Sequence, residues 1–237
     1  MDIRLEGKRA LVTGGDSGIG AATVLALAKA GAKVAVNYVG PARAAHTLVK
    51  AVMKVGGEAI PVRADVSDPA AVAKLFRTMD AAWGGIDVLI NNAGIDGAKA
   101  MGWNSDIAAW RKVLEVNLFG SYYCAREALK RMVPRRAGVV LSTTSVHEKI
   151  AWSGHSAYTA SKAAVGMLTR TLAQEAAPHG VRVLALGPGA VKTAINRAVW
   201  GDRRKMRDLL EKTPLQRIGE PDEIARMAAP SAPRTTR

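Results

Sequence analysis

Three side chains in this 237-residue chain have the types and spacing to move a proton on and off an alcohol oxygen: Ser145, Tyr158 and Lys162. Tyr158 and Lys162 stand at i and i+4 of a segment with helical periodicity, so one helix face presents both. An ammonium beside a phenol favours the phenolate, and is expected to lower the ordinary phenol pKa of about 10 towards working pH. Such a phenol serves as a general acid or base. Ser145 lies thirteen residues upstream of Tyr158, just beyond an apolar run, where its hydroxyl can hydrogen-bond the reacting oxygen. Asn117, within a long amphipathic segment, is a candidate to hold a water in a proton path. Each feature alone has a plainer explanation: Tyr-x-x-x-Lys arises by chance on helices, and Ser142-Thr143-Thr144-Ser145 also reads as a polar strand end.

Residues 13–20 give these side chains a context. They run Thr-Gly-Gly-Asp-Ser-Gly-Ile-Gly, between an apolar run at 10–12 and an amphipathic stretch at 19–30. Gly14, Gly18 and Gly20 allow a tight turn and close approach of a pyrophosphate to backbone N–H groups at a helix start, with Asp16, Ser17 and Ile19 completing the loop. The spacing is wider than G-x-G-x-x-G, but strand, turn and helix follow in the order a phosphate cradle requires. A cradle, a phenol, an ammonium and a hydroxyl donor are the parts of hydride transfer to or from NADP or NAD.

The second apolar run ends in Asn37-Tyr38-Val39-Gly40, where a carboxylate would normally take the adenosine ribose hydroxyls. Nothing in that tetrapeptide repels a 2′-phosphate and Arg43 follows closely, so the pattern leans to NADP with NAD acceptable, although Asp16 brings an opposing negative charge. Asp65 and Val66 follow the third run; Asp65 is placed either to accept from an adenine amino group or to cap the helix before Pro69. Asn91, Asn92, Ala93 and Gly94 offer amides and small residues to line the adenosine side.

The elements that must position these groups are legible as an alternation. Apolar runs at 10–12, 33–36, 59–62, 88–90, 139–141 and 181–186 suit buried parallel strands, and amphipathic stretches at 19–30, 43–55, 69–83, 107–133 and 157–177 separate them. This predicts a single α/β domain over 1–237: a doubly wound parallel sheet of Rossmann type, strand order 3-2-1-4-5-6. The charged, partly helical segment 191–212 follows the sixth strand, where ligands sit outside the carboxyl ends of strands; it is a candidate substrate lid or an ordinary surface helix pair.

The formal net charge of +14 is scattered in clusters such as Lys130-Arg131 and Arg203-Arg204-Lys205, none interleaved with aromatics, which points to solvated helix faces and away from nucleic acid. Cys124 is the single cysteine, so no intramolecular disulfide is possible and a cytoplasmic location fits. The opening residues are charged, and no apolar segment is long enough for a signal peptide or membrane span. Histidines at 46, 147, 155 and 179 lack metal-ligand spacing, so chemistry without a metal is expected.

Taken in order, Thr13 to Gly20, Asn91 to Gly94, Asn117, Ser145, Tyr158, Lys162 and Pro188-Gly189 with Thr193 resemble the short-chain dehydrogenase/reductase family over roughly residues 5–228. The resemblance implies catalytic roles for Asn117, Ser145, Tyr158 and Lys162. It also implies nucleotide contacts from Tyr158, Lys162, Pro188, Gly189, Val191 and Thr193, with Lys162 holding the nicotinamide ribose. Within the family, residues 145–152 and 187–196 and the opening Leu5-Glu6-Gly7-Lys8 are similar to glucose 1-dehydrogenases. That similarity implies that β-D-glucose gives its C1 hydroxyl proton to Tyr158 and yields gluconolactone, with Asp96 and His147 as candidates for sugar hydroxyls; a histidine on a polar loop is as readily just solvated. Two alternatives stay open: a 3-oxoacyl carrier-protein reductase using Ser145, Tyr158 and Lys162 in reverse, and a catalytically silent nucleotide-binding protein.

Two departures from the family stand out. Gly219 to Ala225 begins the helix that precedes the family's last strand, but Pro230 stops it and 230–237 supplies no apolar run. The seventh strand is therefore expected to be missing, with a frameshift or truncation behind the aberrant tail. The sixth strand would then be an exposed edge, and the homo-tetramer the family implies would lose part of its interface. Leu184-Ala185 also stands where relatives commonly carry asparagine.

Overall fold

Six parallel strands, most of them buried on both faces, run through the centre of the computed structural model, which describes residues 4–229. They are β1 (Arg9–Val12), β2 (Lys33–Tyr38), β3 (Glu58–Arg63), β4 (Val88–Asn91), β5 (Gly138–Thr143) and β6 (Val181–Leu186). Their order in the sheet is β3-β2-β1-β4-β5-β6, the doubly wound order expected from the alternation of runs. Near-continuous runs of Val, Leu, Ile and Ala suit strands covered on both sides, because successive side chains enter opposite layers. Val12 joins Val34, Val36 and Ile90 in one core, whereas its neighbour Leu11 joins Ala35, Leu89 and Val140 in the other.

The first layer is closed by α1 (Gly18–Lys29), α2 (Ala42–Lys54) and α9 (Pro221–Ala228), the second by α3 (Pro69–Trp83), α5 (Gly120–Arg135) and α6 (Ser156–Ala176), with α4 (Ile107–Leu114) packed against α6. Boundaries follow local chemistry. The Asp68 side chain accepts from Ala70 N at 2.8 Å and Pro69 opens α3, while Gly84 ends it in the left-handed region at φ 76°. At α9, Glu220 and Glu223 form a reciprocal capping box, and Ala228 and Ala229 bury against the core beside α1.

The expected stretch 107–133 is helical throughout, with a π-helical turn, Glu115–Phe119, joining α4 to α5. The side chain of Asn117, at the centre of that turn, bonds to Ile95 and Ser161 in other parts of the chain, and a π turn accommodates the extra residue that this demands. Segment 191–212 holds two short helices, α7 (Arg197–Trp200) and α8 (Arg203–Leu210), beyond the carboxyl end of β6. Among the described residues the sheet ends at β6, where Val181 and Val183 are buried and Leu184 and Leu186 half-buried. The tail 230–237 lies outside the described residues. No helix among them is long and apolar enough to cross a membrane, and no group of three His, Cys, Asp or Glu side chains among them could hold a metal ion.

Candidate active site

Every strand of a parallel sheet delivers its loop to the same end, and here the loops after β1, β2, β3, β4, β5 and β6 meet around a cleft of about 610 Å³. The glycine loop forms one wall. Gly14 N donates to Asn37 Oδ1 at 3.3 Å and Gly15 N to Asn37 O at 2.8 Å, so the end of β2 holds the loop from one side. Asn92 holds it from the other: its Nδ2 donates to Thr13 O and Gly14 O, both at 3.1 Å. The fold tightens so far at Gly20 that a Cβ there would strike the Gly14 carbonyl and stand 2.7 Å from Asn92 Nδ2. Gly18, at φ 50°, faces Thr193, whose Cγ2 would lie 3.2 Å from an added Cβ. Ser17 precedes α1 without a side-chain capping bond, and the first turn has no acidic residue, which leaves the helix N-terminus open to an anion.

Ser145 sits at the floor, in extended backbone at the start of the 3₁₀ turn Val146–Glu148. Its Oγ accepts from His147 N at 3.2 Å, so its own hydrogen is left to donate. Lys162, buried on α6, points Nζ at Thr143 O, 2.8 Å away, and lies 5.7 Å from the centre of the Tyr158 ring. Burial without a counter-ion pulls this lysine down from 10.5 to about 8. Tyr158 moves the opposite way from the expected depression. Burial raises it, the Ser145 hydroxyl pulls it back by hydrogen bonding, and the Asp96 carboxylate raises it further. The ammonium turned to Thr143 contributes no lowering in this geometry.

Asp96 and Trp152 stand beside Tyr158 in the cleft. Trp152 is sandwiched between His147 and His155, with ring centres 4.7 and 3.6 Å away, and meets Tyr158 edge-on at 5.8 Å. His155 is lowered from its ordinary value, chiefly by burial, and its buried Nδ1 has no partner among the described residues.

Most of the expected site residues line this cleft, from Gly14 and Asp16 through Asp65, Val66, Ala93 and Gly94 to Pro188, Gly189, Val191 and Thr193. Four stand outside the lining. Gly20 packs behind the loop, Asn91 is buried with Nδ2 on Ser121 O at 3.0 Å, and His147 is set back behind Trp152. The fourth, Asn117, has no side-chain donor left for a water: Oδ1 accepts from Ile95 N at 2.8 Å, and Nδ2 donates to Ile95 O at 2.8 Å and Ser161 Oγ at 3.0 Å. It staples the loop after β4 to α6. Arg43 is exposed on α2 and does not line the cleft. Sequence reasoning overlooked Trp152, Lys112, Thr143, Ile195 and Asn196, which do. A tryptophan nine residues past the end of β5 gives no signal of its own; only its proximity to Tyr158 reveals it.

A dinucleotide-sized cleft at the carboxyl edge, a glycine turn opening a helix and a phenol beside a buried lysine define a nicotinamide-dependent oxidoreductase. The comparisons specify the family: a model described as short chain dehydrogenase matches residues 8–204, and the chain belongs to that family as an NAD(P)-dependent oxidoreductase. Among curated relatives, 3beta-hydroxysteroid dehydrogenase 1 of Eggerthella lenta is 39% identical over 226 residues, covering 95% of this chain and 86% of the relative. A 3-oxoacyl-[acyl-carrier-protein] reductase of Synechocystis is 38% identical, covering 91% and 85%. Glucose 1-dehydrogenase 2 of Bacillus subtilis is 34% identical, covering 95% and 87%. The solved structure of a gluconate 5-dehydrogenase from Burkholderia cenocepacia, in complex with NADP and tartrate, superposes with a TM-score of 0.92 at 33% identity, covering 98% of this chain and 90% of that one. Their substrates differ widely, and no single activity dominates.

Proposed function

We propose that Tyr158 is the proton-transferring residue of this oxidoreductase, that Ser145 and Lys162 serve it, and that the chain oxidises the hydroxyl of a ring alcohol, a sugar such as β-D-glucose above all. The observation that carries this reading is the meeting of Ser145, Tyr158, Lys162 and Asp96 in one cleft with the glycine loop. The cleft fits a dinucleotide: Gly18 and Thr193 leave room only for backbone approach, and the uncapped start of α1 presents free N–H groups to a pyrophosphate. Gly14, Ser17, Gly18 and Ile19 would hold the phosphates, with Pro188, Gly189, Val191 and Thr193 opposite. The bound nicotinamide supplies the acceptor for the hydride that leaves the alcohol carbon.

Ser145, whose Oγ accepts from His147 N and whose hydroxyl bonds Tyr158, turns its hydrogen to the substrate oxygen. Tyr158, as phenolate, takes the hydroxyl proton; for β-D-glucose the C1 hydroxyl loses it and gluconolactone forms. Lys162 has three donors and spends one on Thr143 O, so two remain for the phenolate and for a ribose hydroxyl. Asp96 accepts from a substrate hydroxyl, and Trp152 presents an apolar ring edge beside the reacting oxygen. Residues 191–212, with α7 and α8, act as the lid. Asn117 acts by fixing the loop that carries Gly94 and Asp96. We further propose that the chain is cytoplasmic and assembles as a homo-tetramer, for which exposed Phe119, Tyr122 and Met167 supply apolar surface.

One observation supports a second reading. The raised Tyr158 keeps its proton at neutral pH, which suits a general acid reducing a carbonyl, as in the 3-oxoacyl reductase relative. The test is purified chain with β-D-glucose and with a 3-oxoacyl thioester, each with both nucleotides, followed by nicotinamide absorbance. Turnover of glucose alone supports the first reading, and of the thioester alone the second. Turnover of neither removes both substrates.

A further inference from the structure

We propose that His155 positions the substrate wall of the cleft, holding the Trp152 ring and the backbone of Asp96 while it is neutral and loosening both when it is protonated. The inference rests on the cleft being the substrate site of the oxidoreductase and adds a residue that acts on it through others. Trp152 and Asp96 line the cleft, and His155 does not. Trp152 stands on the loop between the 3₁₀ turn Val146–Glu148 and α6, outside regular secondary structure. Two imidazoles fix its ring instead. His147 stacks at 4.7 Å between ring centres, and His155 closer, at 3.6 Å with 17° between planes. The indole so held meets Tyr158 edge-on at 5.8 Å. The His155 ring also bonds the Asp96 backbone carbonyl, and Ala100 N donates to Gly154 O at 3.0 Å, so the loop after β4 and the loop before α6 are joined at this point.

Nδ1 of His155 is buried with no partner among the described residues, so the nitrogen that donates to Asp96 O is Nε2, and the neutral ring needs only that one hydrogen. Protonation adds a hydrogen to Nδ1, where no described group accepts it. Burial is the chief cause that lowers His155 from its ordinary 6.5. The charged groups around the ring divide: from the loop after β4, Asp96 favours the cation and Lys99, whose stem packs on Gly154, opposes it, as does His147 from the 3₁₀ turn. Asp106, the residue before α4, lines a small cavity of about 50 Å³ together with His155, and Tyr158 of α6 lies on the other side of the Trp152 contact. An Nδ1–H finds an acceptor only if the ring moves, and any such move disturbs the stack on Trp152 and the bond to Asp96 O together. One proton therefore loosens an aromatic wall and a carboxylate-bearing loop at once.

Trp152 fluorescence, read as the difference between the chain and Trp152→Phe, tests this without substrate or nucleotide, because indole emission depends on the charge and distance of a stacked imidazole. Titrated over about pH 5 to 8, it is expected to change once, at a pH below the ordinary 6.5 of histidine, to keep that change in a His147→Phe background and to lose it in a His155→Phe background. With the substrate accepted in the turnover assay, His155→Ala should raise KM about tenfold and leave kcat and nucleotide affinity within about threefold. His155→Phe restores a flat ring against Trp152, so it should recover part of the KM and remove the rise in KM that the unaltered chain shows in acid. A Trp152 transition that survives in the His155→Phe background, or a KM that His155→Ala leaves unchanged, overturns the inference. A loss of nucleotide affinity equal to the loss in KM does so too, since it would mean a general loosening of the fold. If neither glucose nor the thioester is turned over, those substrates fall, and the Trp152 emission still decides what His155 holds.

Discussion

At the amino-terminal edge of the sheet Arg9 grips Asp87 through Nε and Nη2, each at 2.8 Å, and Arg135 adds a third bond at 2.9 Å, while at the carboxyl edge Lys162 is buried with one carbonyl for company. The consequences for ionisation are opposite. Asp87 is held at about 2 because its arginines outweigh its burial, and it stays charged across the physiological range. Lys162 falls to about 8 and Tyr158 rises, because burial there is not answered by a counter-ion. Atoms left without partners, Thr144 Oγ1, Asn91 Oδ1 and His155 Nδ1, also gather around the functional end of the fold. The lower edge spends its polar groups on stability; at the upper edge Thr144 Oγ1, on a residue lining the cleft, is left for a ligand to complete.

The strongest way to break this contrast is Tyr158→Phe. We expect turnover to fall by about 10³-fold with nucleotide affinity within a few-fold, since only a proton carrier is lost. Retained turnover, measured with whichever substrate the chain accepts, would strip Tyr158 of that role. Next comes Asp87→Ala, which leaves two arginines facing an empty site and should cost about 3 kcal/mol, at the low end for a buried pair because these groups keep some exposure. Urea unfolding reads it. The Asp87 contribution is fully present above the unfolded carboxyl value of 3.8 and is lost as pH falls through about 2, so the deficit should shrink in acid.

Lys162→Met should do the reverse: abolish turnover yet stabilise the fold. The depression from 10.5 to about 8 corresponds to roughly 3 kcal/mol of penalty on the charged form at neutral pH. The lost bond to Thr143 returns about 1 kcal/mol of that, for a net gain of about 2 kcal/mol. The sign with pH follows from proton binding: between about 8 and 10.5 the unfolded chain holds the lysine proton and the folded chain does not, so wild-type stability rises there and closes on the variant. Parallel melting curves that never converge would deny the penalty. The smallest effect belongs to Trp83→Phe, which removes an exposed bond from Nε1 to Glu58 Oε1 at 2.6 Å and should shift unfolding by less than about 0.5 kcal/mol. A larger loss would mean that the lower edge depends on its exposed bonds as well as its buried ones.

How much of this was legible beforehand differs by element. Strand β6 and helix α3 match the apolar runs and amphipathic stretch at 181–186 and 69–83 to the residue, because Pro69, Gly84 and Gly180 punctuate them locally. The segment 107–133 runs helical as expected, but its π turn is not legible beforehand, since such a turn keeps helical periodicity on both sides and the partners of Asn117, Ile95 and Ser161, lie 22 and 44 residues away. Tyr158 and Lys162 were paired by their spacing, but the direction of the Tyr158 shift was not, because it depends on where Nζ points.

By itself the sequence determined what short-range rules govern: the alternation of strands and helices, the glycine turn at the start of α1, and the shared helix face of a phenol and an amine. These follow from periodicity, from backbone freedom and from i, i+4 neighbourhood, none of which needs the rest of the chain. Only the tertiary structure decided that Asn37 and Asn92 clamp the glycine loop, and that Trp152 is wedged between two histidines beside Tyr158. Hydrogen-bond partners, burial and field at a site are set by groups that meet through space, and their distances along the chain carry no trace of that meeting.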